Sequence, residues 1–253
     1  MVTSRKYSTI LKSVLEVVPQ VYQLTVGGTN IILLAEEELT LVDTGLPGGS
    51  AQVVDLIHQL GRSVAEIGLI VLTHNHFDHT GGLPGLKRLS RAKVAGHQAD
   101  FSSGDGPLPY PGIVQKILRI PPFTALRWAF SVKPDEIDVK LEGGEVLKPL
   151  GGLEVIHTAG HTPGSISLFS PSRKLLIVGD ALNKRGNVLR LPPKMASTDL
   201  TQAIDSLEKI ARLDCEALCF GHGRPLIEDV RARLKELIEK NKRLTISART
   251  GYH

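Results

Sequence analysis

Short apolar runs separated by polar turns dominate the first third of the chain. Three of these runs cover residues 14–18, 21–26 and 31–34, and Gly27-Gly28 divides the second run from the third. Runs of this length bounded by glycine are typical of β-strands joined by tight turns. The pattern therefore predicts antiparallel strands at the start of the fold.

Helical spacing replaces this pattern at three places, about 53–60, 200–211 and 230–238. Apolar residues recur there every three or four positions, which puts them on one face of an α-helix. Strands are predicted between the first and second helix, and they cover about 137–141, 153–158, 165–170 and 174–179. Two groups of strands, each followed by helices, fit a sandwich of two sheets between helical layers.

The most distinctive segment follows the apolar run Leu69-Ile70-Val71-Leu72, which predicts a buried strand. It reads Thr73-His74-Asn75-His76-Phe77-Asp78-His79. Three imidazoles and a carboxylate within six positions rarely occur without a ligand role. Residues i and i+2 of an extended segment point the same way, so His74 and His76 can share one metal ion while Asp78 and His79 turn toward a second. The loop predicts a metal-dependent hydrolase.

Two ions need more ligands than this loop can supply, and three other predicted strand ends offer them. His161 lies in the turn Gly160-His161-Thr162-Pro163-Gly164, Asp180 follows the run 175–178, and His222 follows the run 217–220. Taken singly, each is more often a turn or capping residue. Four strand ends that all carry His or Asp beside a Gly or Thr together predict one shared site.

The pattern His74-x-His76-x-Asp78-His79, followed by His161, Asp180 and His222 in that order, resembles the metallo-β-lactamase fold hydrolases. Asp43, in Leu41-Val42-Asp43-Thr44-Gly45, matches the first motif of that family. The resemblance extends from about Tyr22 to Leu237. It implies an α/β (α+β) fold: a four-layer αββα sandwich of two mixed β-sheets flanked by helices, formed by a single domain over residues 1–253.

The resemblance also implies a role for each of these residues. His74, His76 and His161 would hold the first metal ion. Asp78, His79 and His222 would hold the second, and Asp180 would bridge the two. Asp78 and Asp180 would be the catalytic carboxylates, and Asp43 would accept a hydrogen bond from a ligand imidazole. A hydroxide between the ions would be the nucleophile, because metal coordination lowers the pKa of water toward about 7. This ligand set suits zinc, iron or manganese, with zinc as the default.

The family includes lactonases, thioesterases, β-lactamases, nucleases and phosphodiesterases, so the resemblance does not name a substrate. We expect a small ester, lactone or thioester. A thioesterase similar to glyoxalase II is the alternative, although the helix predicted within 227–243 is short for the glutathione-binding region of those enzymes. A nuclease, phosphodiesterase or β-lactamase is a weaker alternative. Asn183 stands where lactonases of acyl-homoserine lactones carry a tyrosine, and its amide could support an oxyanion.

Prolines and aromatic residues replace the regular pattern between residues 101 and 134. Five of the chain's 11 aromatic residues lie there, among them Phe123 and Trp128. In relatives, an insertion at this point shapes the pocket, which makes these two side chains candidate substrate contacts and the segment a candidate apolar wall or lid. The alternative is a helix that extends the core or forms a contact in a homodimer.

The composition limits which binding partners and which cellular compartment are expected. The formal net charge of the 253 residues is +4, and basic residues are scattered, so no nucleic-acid partner is expected. No apolar run reaches the length of a membrane span, and Lys12 and Glu16 interrupt the N-terminal apolar stretch that a signal peptide needs. Cys215 and Cys219, four positions apart on a predicted strand, are too distant to bridge. These features predict a cytoplasmic enzyme with a small-molecule substrate and no membrane partner.

Overall fold

A seven-stranded mixed sheet forms the first half of the fold. The structure is a computed structural model that describes residues 13–102, 120, 132–186 and 188–250. The strands lie across the sheet in chain order, with three antiparallel pairings followed by three parallel ones. They are β1 (Val14–Val18), β2 (Val21–Val26), β3 (Thr29–Ala35), β4 (Leu39–Val42), β5 (Ile67–Leu72), β6 (Lys93–His97) and β7 (Val139–Leu141).

A five-stranded mixed sheet forms the second half, in the order β14-β11-β10-β9-β8. The β11–β14 pair is parallel, and the other pairs are antiparallel. Its strands are β8 (Val146–Leu147), β9 (Leu153–His157), β10 (Ile166–Ser170), β11 (Leu175–Ile177) and β14 (Ala217–Cys219). A separate hairpin of β12 (Asn183–Arg185) and β13 (Val188–Arg190) follows β11.

Among the described residues, six helices accompany the two sheets. They are α1 (Ser50–Gln59), α2 (Phe77–Thr80), α3 (Leu83–Ser90), α4 (Gln98–Phe101), α5 (Leu200–Ala211) and α6 (Val230–Thr250). Short 3-10 turns cover Val64–Glu66, Pro134–Glu136, Pro149–Gly151 and Lys194–Ala196. Within the described part of the chain, none of the helices combines the length and the apolar character that crossing a membrane requires.

Three hydrophobic clusters separate four layers. Side chains alternate across a strand, so β3 sends Ile31 and Leu33 to a cluster under α1 and α3, and Ile32 and Leu34 to a cluster between the two sheets. A third cluster lies between the second sheet and the helices α5 and α6. Each fully buried Leu or Ile contributes roughly 1.5–3 kcal/mol to stability. The predicted four-layer sandwich of two mixed sheets flanked by helices is confirmed.

One detail differs from the sequence predictions, and one residue of the proposed insertion lies in the core. Cys215 lies before β14, so the two cysteines do not share a strand; both are free, buried thiols. Phe101, one of the aromatic residues counted with the insertion, lies in the cluster under α1 and α3. Its ring fills the space that a side chain at Gly96 would need. Phe123 and Trp128 lie outside the described residues.

Candidate metal centre

Every predicted ligand lies just beyond the end of a strand. β4 leads into Asp43, and β5 leads into the loop that carries His74 and His76. Because β4 and β5 are parallel, both segments leave the first sheet at the same edge. His161, Asp180 and His222 follow β9, β11 and β14 of the second sheet. The structure brings all seven predicted ligands together in overlapping groups, in each of which the candidate ligand atoms lie within 4.8 Å of one another.

Three imidazoles form the first group of candidate ligands. His76 Nδ1 lies 3.0 Å from His74 Nε2 and 2.9 Å from His161 Nε2, and all three rings are buried. Gly160 shapes the turn that presents His161: its φ is +138°, and a side chain there would meet the backbone of Ala203 in α5. Only glycine allows this close approach between the loop and the helix.

Asp78, His79 and His222 form the second group. The backbone becomes helical at Phe77, so Asp78 and His79 lie in α2. The His79 ring stays close to the His74 ring, with 4.1 Å between the centroids. Asp78 Oδ2 lies 3.8 Å from His79 Nε2 and 3.4 Å from His222 Nε2. The His-rich loop thus supplies residues to both groups, and His74 also lies close to His79 and Asp180. Its division between two metal sites stays a prediction.

Asp180 lies between the two groups. Its Oδ1 is 3.6 Å from His79 Nε2, and its Oδ2 is 3.5 Å from His161 Nε2 and 3.3 Å from His222 Nε2. Gly221 allows this arrangement, because an added Cβ would collide with Asp180 Oδ1 and come within 2.6 Å of His79 Cε1. The carboxylate is thus placed to contact ions in both groups.

Asp43 orients one imidazole in each group. Its Oδ2 is 2.7 Å from His79 Nδ1 and accepts a hydrogen bond from the Thr73 hydroxyl at 2.8 Å. Because that hydroxyl donates to Asp43, its contact with His74 Nδ1 at 3.0 Å makes the ring nitrogen the donor. The neutral form of each imidazole therefore carries its proton on Nδ1, which leaves Nε2 to bind a metal. The predicted role of Asp43 agrees with this geometry, whereas no pattern in the sequence indicates the part played by Thr73.

The turn between β2 and β3 supports the second group. His222 Nδ1 donates to the Gly28 carbonyl at 2.9 Å, and the Thr29 hydroxyl donates to Asp78 Oδ2 at 3.4 Å. The Asn30 amide also donates to the Phe220 and Gly223 carbonyls, at 2.8 and 2.7 Å. No pattern in the sequence indicates these contacts, since residues in a strand and its turn carry no ligand pattern of their own.

The pKa shifts of the candidate ligands differ between the two groups. Burial lowers the pKa of His74 and His76 well below the usual value, and the neighbouring imidazoles lower it further for His74. Burial also opposes protonation of His79, but Asp180 and Asp43 outweigh it and raise its pKa to about 9. Burial likewise opposes ionisation of Asp180, yet His79 and His222 bring its pKa below the usual range. A hydrogen bond to Asp180 raises the pKa of His222.

The donor set fits divalent metal ions. In the first group, three ring nitrogens converge on one point, as the ligands of a metal ion do. In the second group, the buried His79 Nε2 has no hydrogen-bond partner among the described residues, although two carboxylates face it. Neutral imidazoles and carboxylates are ligands of zinc, iron and manganese. The described residues could therefore hold metal in both groups.

The remaining predicted residue, Asn183, lies in β12, three positions after Asp180. Its side-chain amide donates to the Leu191 carbonyl at 3.5 Å, across the hairpin. Asn183 as a substrate contact stays a prediction, as do Phe123 and Trp128.

Residues 24–222 match the family model of the metallo-beta-lactamase superfamily. The chain is 32% identical over 233 residues to the uncharacterized protein YobT of Bacillus subtilis, covering 85% of this chain and 91% of that one. It is 30% identical over 244 residues to the probable metallo-hydrolase YflN of the same organism, covering 87% and 90%. A solved metallo-beta-lactamase family protein from Thermus thermophilus superimposes with a TM-score of 0.69 at 25% identity, covering 90% of this chain and 81% of that one.

Two more distant relatives have names that specify a reaction. A hydroxyacylglutathione hydrolase from Haemophilus influenzae is 28% identical over 152 residues, which cover 60% of this chain and 64% of that protein. An atrochrysone carboxyl ACP thioesterase from Aspergillus fumigatus is 25% identical over 227 residues, covering 87% and 58%.

Proposed function

Since the chain belongs to the metallo-beta-lactamase superfamily and is a metal-dependent hydrolase, we propose that it uses two divalent ions to cleave a small ester, lactone or thioester. One observation carries this proposal: seven His and Asp side chains converge in two groups, and Asp180 contacts both. Zinc is the ion that we expect, with iron and manganese as alternatives that the same donors accept.

The proposed role of each residue follows from its position in the site. His74, His76 and His161 would hold one ion, and Asp78, His79 and His222 the other. Bound divalent ions supply a water of lowered pKa and polarise the substrate carbonyl. The Asp180 carboxylate would lower the repulsion between two bound cations. Asp43 favours protonation of His79 and His74 on Nδ1, so Nε2 of each would be the metal-binding atom.

Thioesters are the substrate class that the comparisons support most specifically. Two relatives are named as a hydroxyacylglutathione hydrolase and an acyl-carrier-protein thioesterase. Helix α6 spans Val230–Thr250, which is longer than the sequence predicted, so helix length no longer argues against an activity like that of glyoxalase II. Esters and lactones remain in the proposal because they share the acyl carbonyl. The proposed substrate is a free small molecule, and we propose no nucleic-acid or membrane partner.

The exposure of the Phe77 side chain supports a substrate that carries an apolar group. This side chain lies between His76 and Asp78 in the chain and is 45% exposed, although large apolar side chains are usually buried. The proposed wall of the pocket also includes Phe123 and Trp128, and the alternative for the segment 101–134 is a contact in a homodimer. Each apolar contact would contribute about 25 cal/mol per Å² of buried surface.

The test is a hydrolysis panel of thioesters, lactones, esters, β-lactams and phosphodiesters, run with metal-stripped protein and with protein reloaded with zinc, iron or manganese. We expect turnover of at least one acyl substrate only after reloading. Asp180→Asn should lower that rate by orders of magnitude, because a neutral amide compensates two cations poorly. Asp138→Asn, at a carboxylate that accepts from the Val94 amide away from the histidines, is the matched control. Full activity of metal-stripped protein or of Asp180→Asn would contradict the proposal.

A further inference from the structure

A buried carboxylate outside the ligand set lies against the candidate metal centre. Asp100, in helix α4, is 2% exposed and accepts three hydrogen bonds through its side chain. Oδ2 accepts from the Asn75 backbone amide at 3.0 Å and from the Thr162 hydroxyl at 2.7 Å. Oδ1 accepts from the Gly164 backbone amide at 2.6 Å. The backbone carbonyl of Asp100 also accepts from the Asn75 side-chain amide at 3.0 Å.

These donors are all neutral, which makes the burial of this carboxylate unusual. Burial raises the pKa of Asp100, while the hydrogen bonds from Thr162, Asn75 and Gly164 oppose that shift. A carboxylate removed from water is costly unless hydrogen bonds replace its hydration. An apolar residue here would leave the amides of Asn75 and Gly164 without this acceptor. The hydrogen bonds, rather than packing, therefore account for a carboxylate at this position.

The donors belong to two different loops, and both loops carry ligands of the first group. Asn75 lies between His74 and His76 in the chain, and Thr162 directly follows His161. Asp100 therefore connects the first-sheet loop to the second-sheet loop beside the point where His76 Nδ1 and His161 Nε2 lie 2.9 Å apart. The second group is held differently, by Asp43 on His79 and by the Gly28 carbonyl on His222.

Gly164 shows how closely the second loop fits this carboxylate. A Cβ at Gly164 would lie 2.7 Å from the Cγ, the Oδ1 and the backbone nitrogen of Asp100. The absence of a side chain thus lets the Gly164 amide reach Oδ1. The Ser165 hydroxyl completes the contact, lying 2.7 Å from the Thr162 hydroxyl and accepting from the Thr162 amide at 3.1 Å.

From this geometry we infer that Asp100 is a positioning residue for one metal ion. It holds the His161 loop against the His74–His79 loop and so sets the affinity of the first group without binding metal itself. This inference rests on the proposed function, because it takes the first group as a metal site. Loss of Asp100 should weaken the first ion selectively, since His161 is the member of the His74, His76 and His161 group that the second loop supplies.

Two parent variants separate the sites for the test. His222→Ala removes a ligand of the second group, and His161→Ala removes one of the first. Zinc affinity is measured in each parent by competition with a chromophoric chelator, with and without Asp100→Asn. We expect Asp100→Asn to weaken zinc about 10–100-fold in the His222→Ala parent, as losses of residues behind metal ligands do. In the His161→Ala parent, the affinity should stay within experimental error.

Asp138→Asn provides the control, because it makes the same substitution at a carboxylate that accepts a backbone amide elsewhere. If circular dichroism shows that Asp100→Asn does not fold, Thr162→Val replaces it and removes one donor while keeping the carboxylate; Thr162→Ser should restore the affinity. Equal weakening in both parents, or in neither, would overturn the assignment. Absence of zinc binding from the unsubstituted protein would contradict the proposed function and this assignment with it, whereas normal binding that Asp100→Asn leaves unchanged would contradict the assignment alone.

Discussion

At the scale of single residues, one carboxylate controls the proton position on two imidazoles. Asp43 contacts His79 directly and reaches His74 through the Thr73 hydroxyl. Its φ is +62°, an uncommon backbone conformation for a residue other than glycine, and Asp is among the residues that tolerate it best. Both groups of candidate ligands therefore contact the same side chain, the first group through the hydroxyl of Thr73.

Thr73→Val tests the contact between Asp43 and His74 that runs through the Thr73 hydroxyl. The substitution keeps the shape of the buried side chain and removes the hydroxyl between Asp43 and His74, so His74 can take the wrong tautomer. We expect zinc affinity of the first group, measured in the His222→Ala background, to fall about 10–100-fold. Thr73→Ser keeps the hydroxyl and should retain the affinity. Equal affinities for the Val and Ser variants would remove the hydroxyl from this role.

The raised pKa of His79 predicts a pH dependence of the metal-free protein. Its pKa is about 9 in the fold, above the ordinary value of 6.5. The protonated ring therefore adds stability that is fully present below pH 6.5 and is lost as the pH rises through about 9. We expect the Tm of metal-free protein to fall across this interval, measured by calorimetry. His79→Gln should flatten the slope, whereas an equal slope in that variant would assign it to other groups.

Individual ligands were predictable from the sequence because histidine and aspartate at strand ends are chemically distinctive. Asp100, Thr73 and Thr29 were not, since each acts through a partner in another segment. The sequence alone does not distinguish a buried aspartate such as Asp100 from an exposed one. Only the fold reveals that Asn75, Thr162 and Gly164 surround it.

At the scale of elements, the site depends on glycines where strand ends meet. A Cβ at Gly221, just after β14, would collide with Asp180 and His79. Gly221→Ala should therefore displace these side chains and reduce bound metal, measured by elemental analysis. Gly144→Ala is the control, because that glycine has φ +98° and no atom within 4 Å of an added Cβ. Gly144→Ala strains the backbone, yet this variant should keep its metal. Full metal content in Gly221→Ala would contradict the prediction and show that the end of β14 can shift.

The elements that the sequence predicted well are those with apolar residues on one or both faces, such as β3, β10 and α5. The missed elements lack that signal. Helix α3 begins Leu83-Pro84-Gly85, where proline and glycine disguise a helix start, and β6 contains Gly96, whose missing side chain makes room for Phe101. The hairpin of β12 and β13 is short and basic, so no alternating pattern marks it.

At the scale of the whole molecule, the candidate metal centre joins the two sheets. Four of the seven ligands follow β5 of the first sheet, and the other three follow strands of the second. The two halves also share a direct hydrogen bond, from the Ile166 amide to the Thr73 carbonyl at 2.9 Å. The sequence predicted the layers because buried strands alternate with amphipathic helices, but the register that brings the loops together follows only from the packed sheets.

The number of metal ions per chain tests the proposed dinuclear centre most directly. Elemental analysis of protein prepared without chelator and saturated with zinc should give two ions per chain. His161→Ala and His222→Ala should each retain one, because each removes a ligand from a different group while Asp180 and the other group remain. A reproducible count of one or none for the unsubstituted protein would contradict the proposal that this site holds two metal ions.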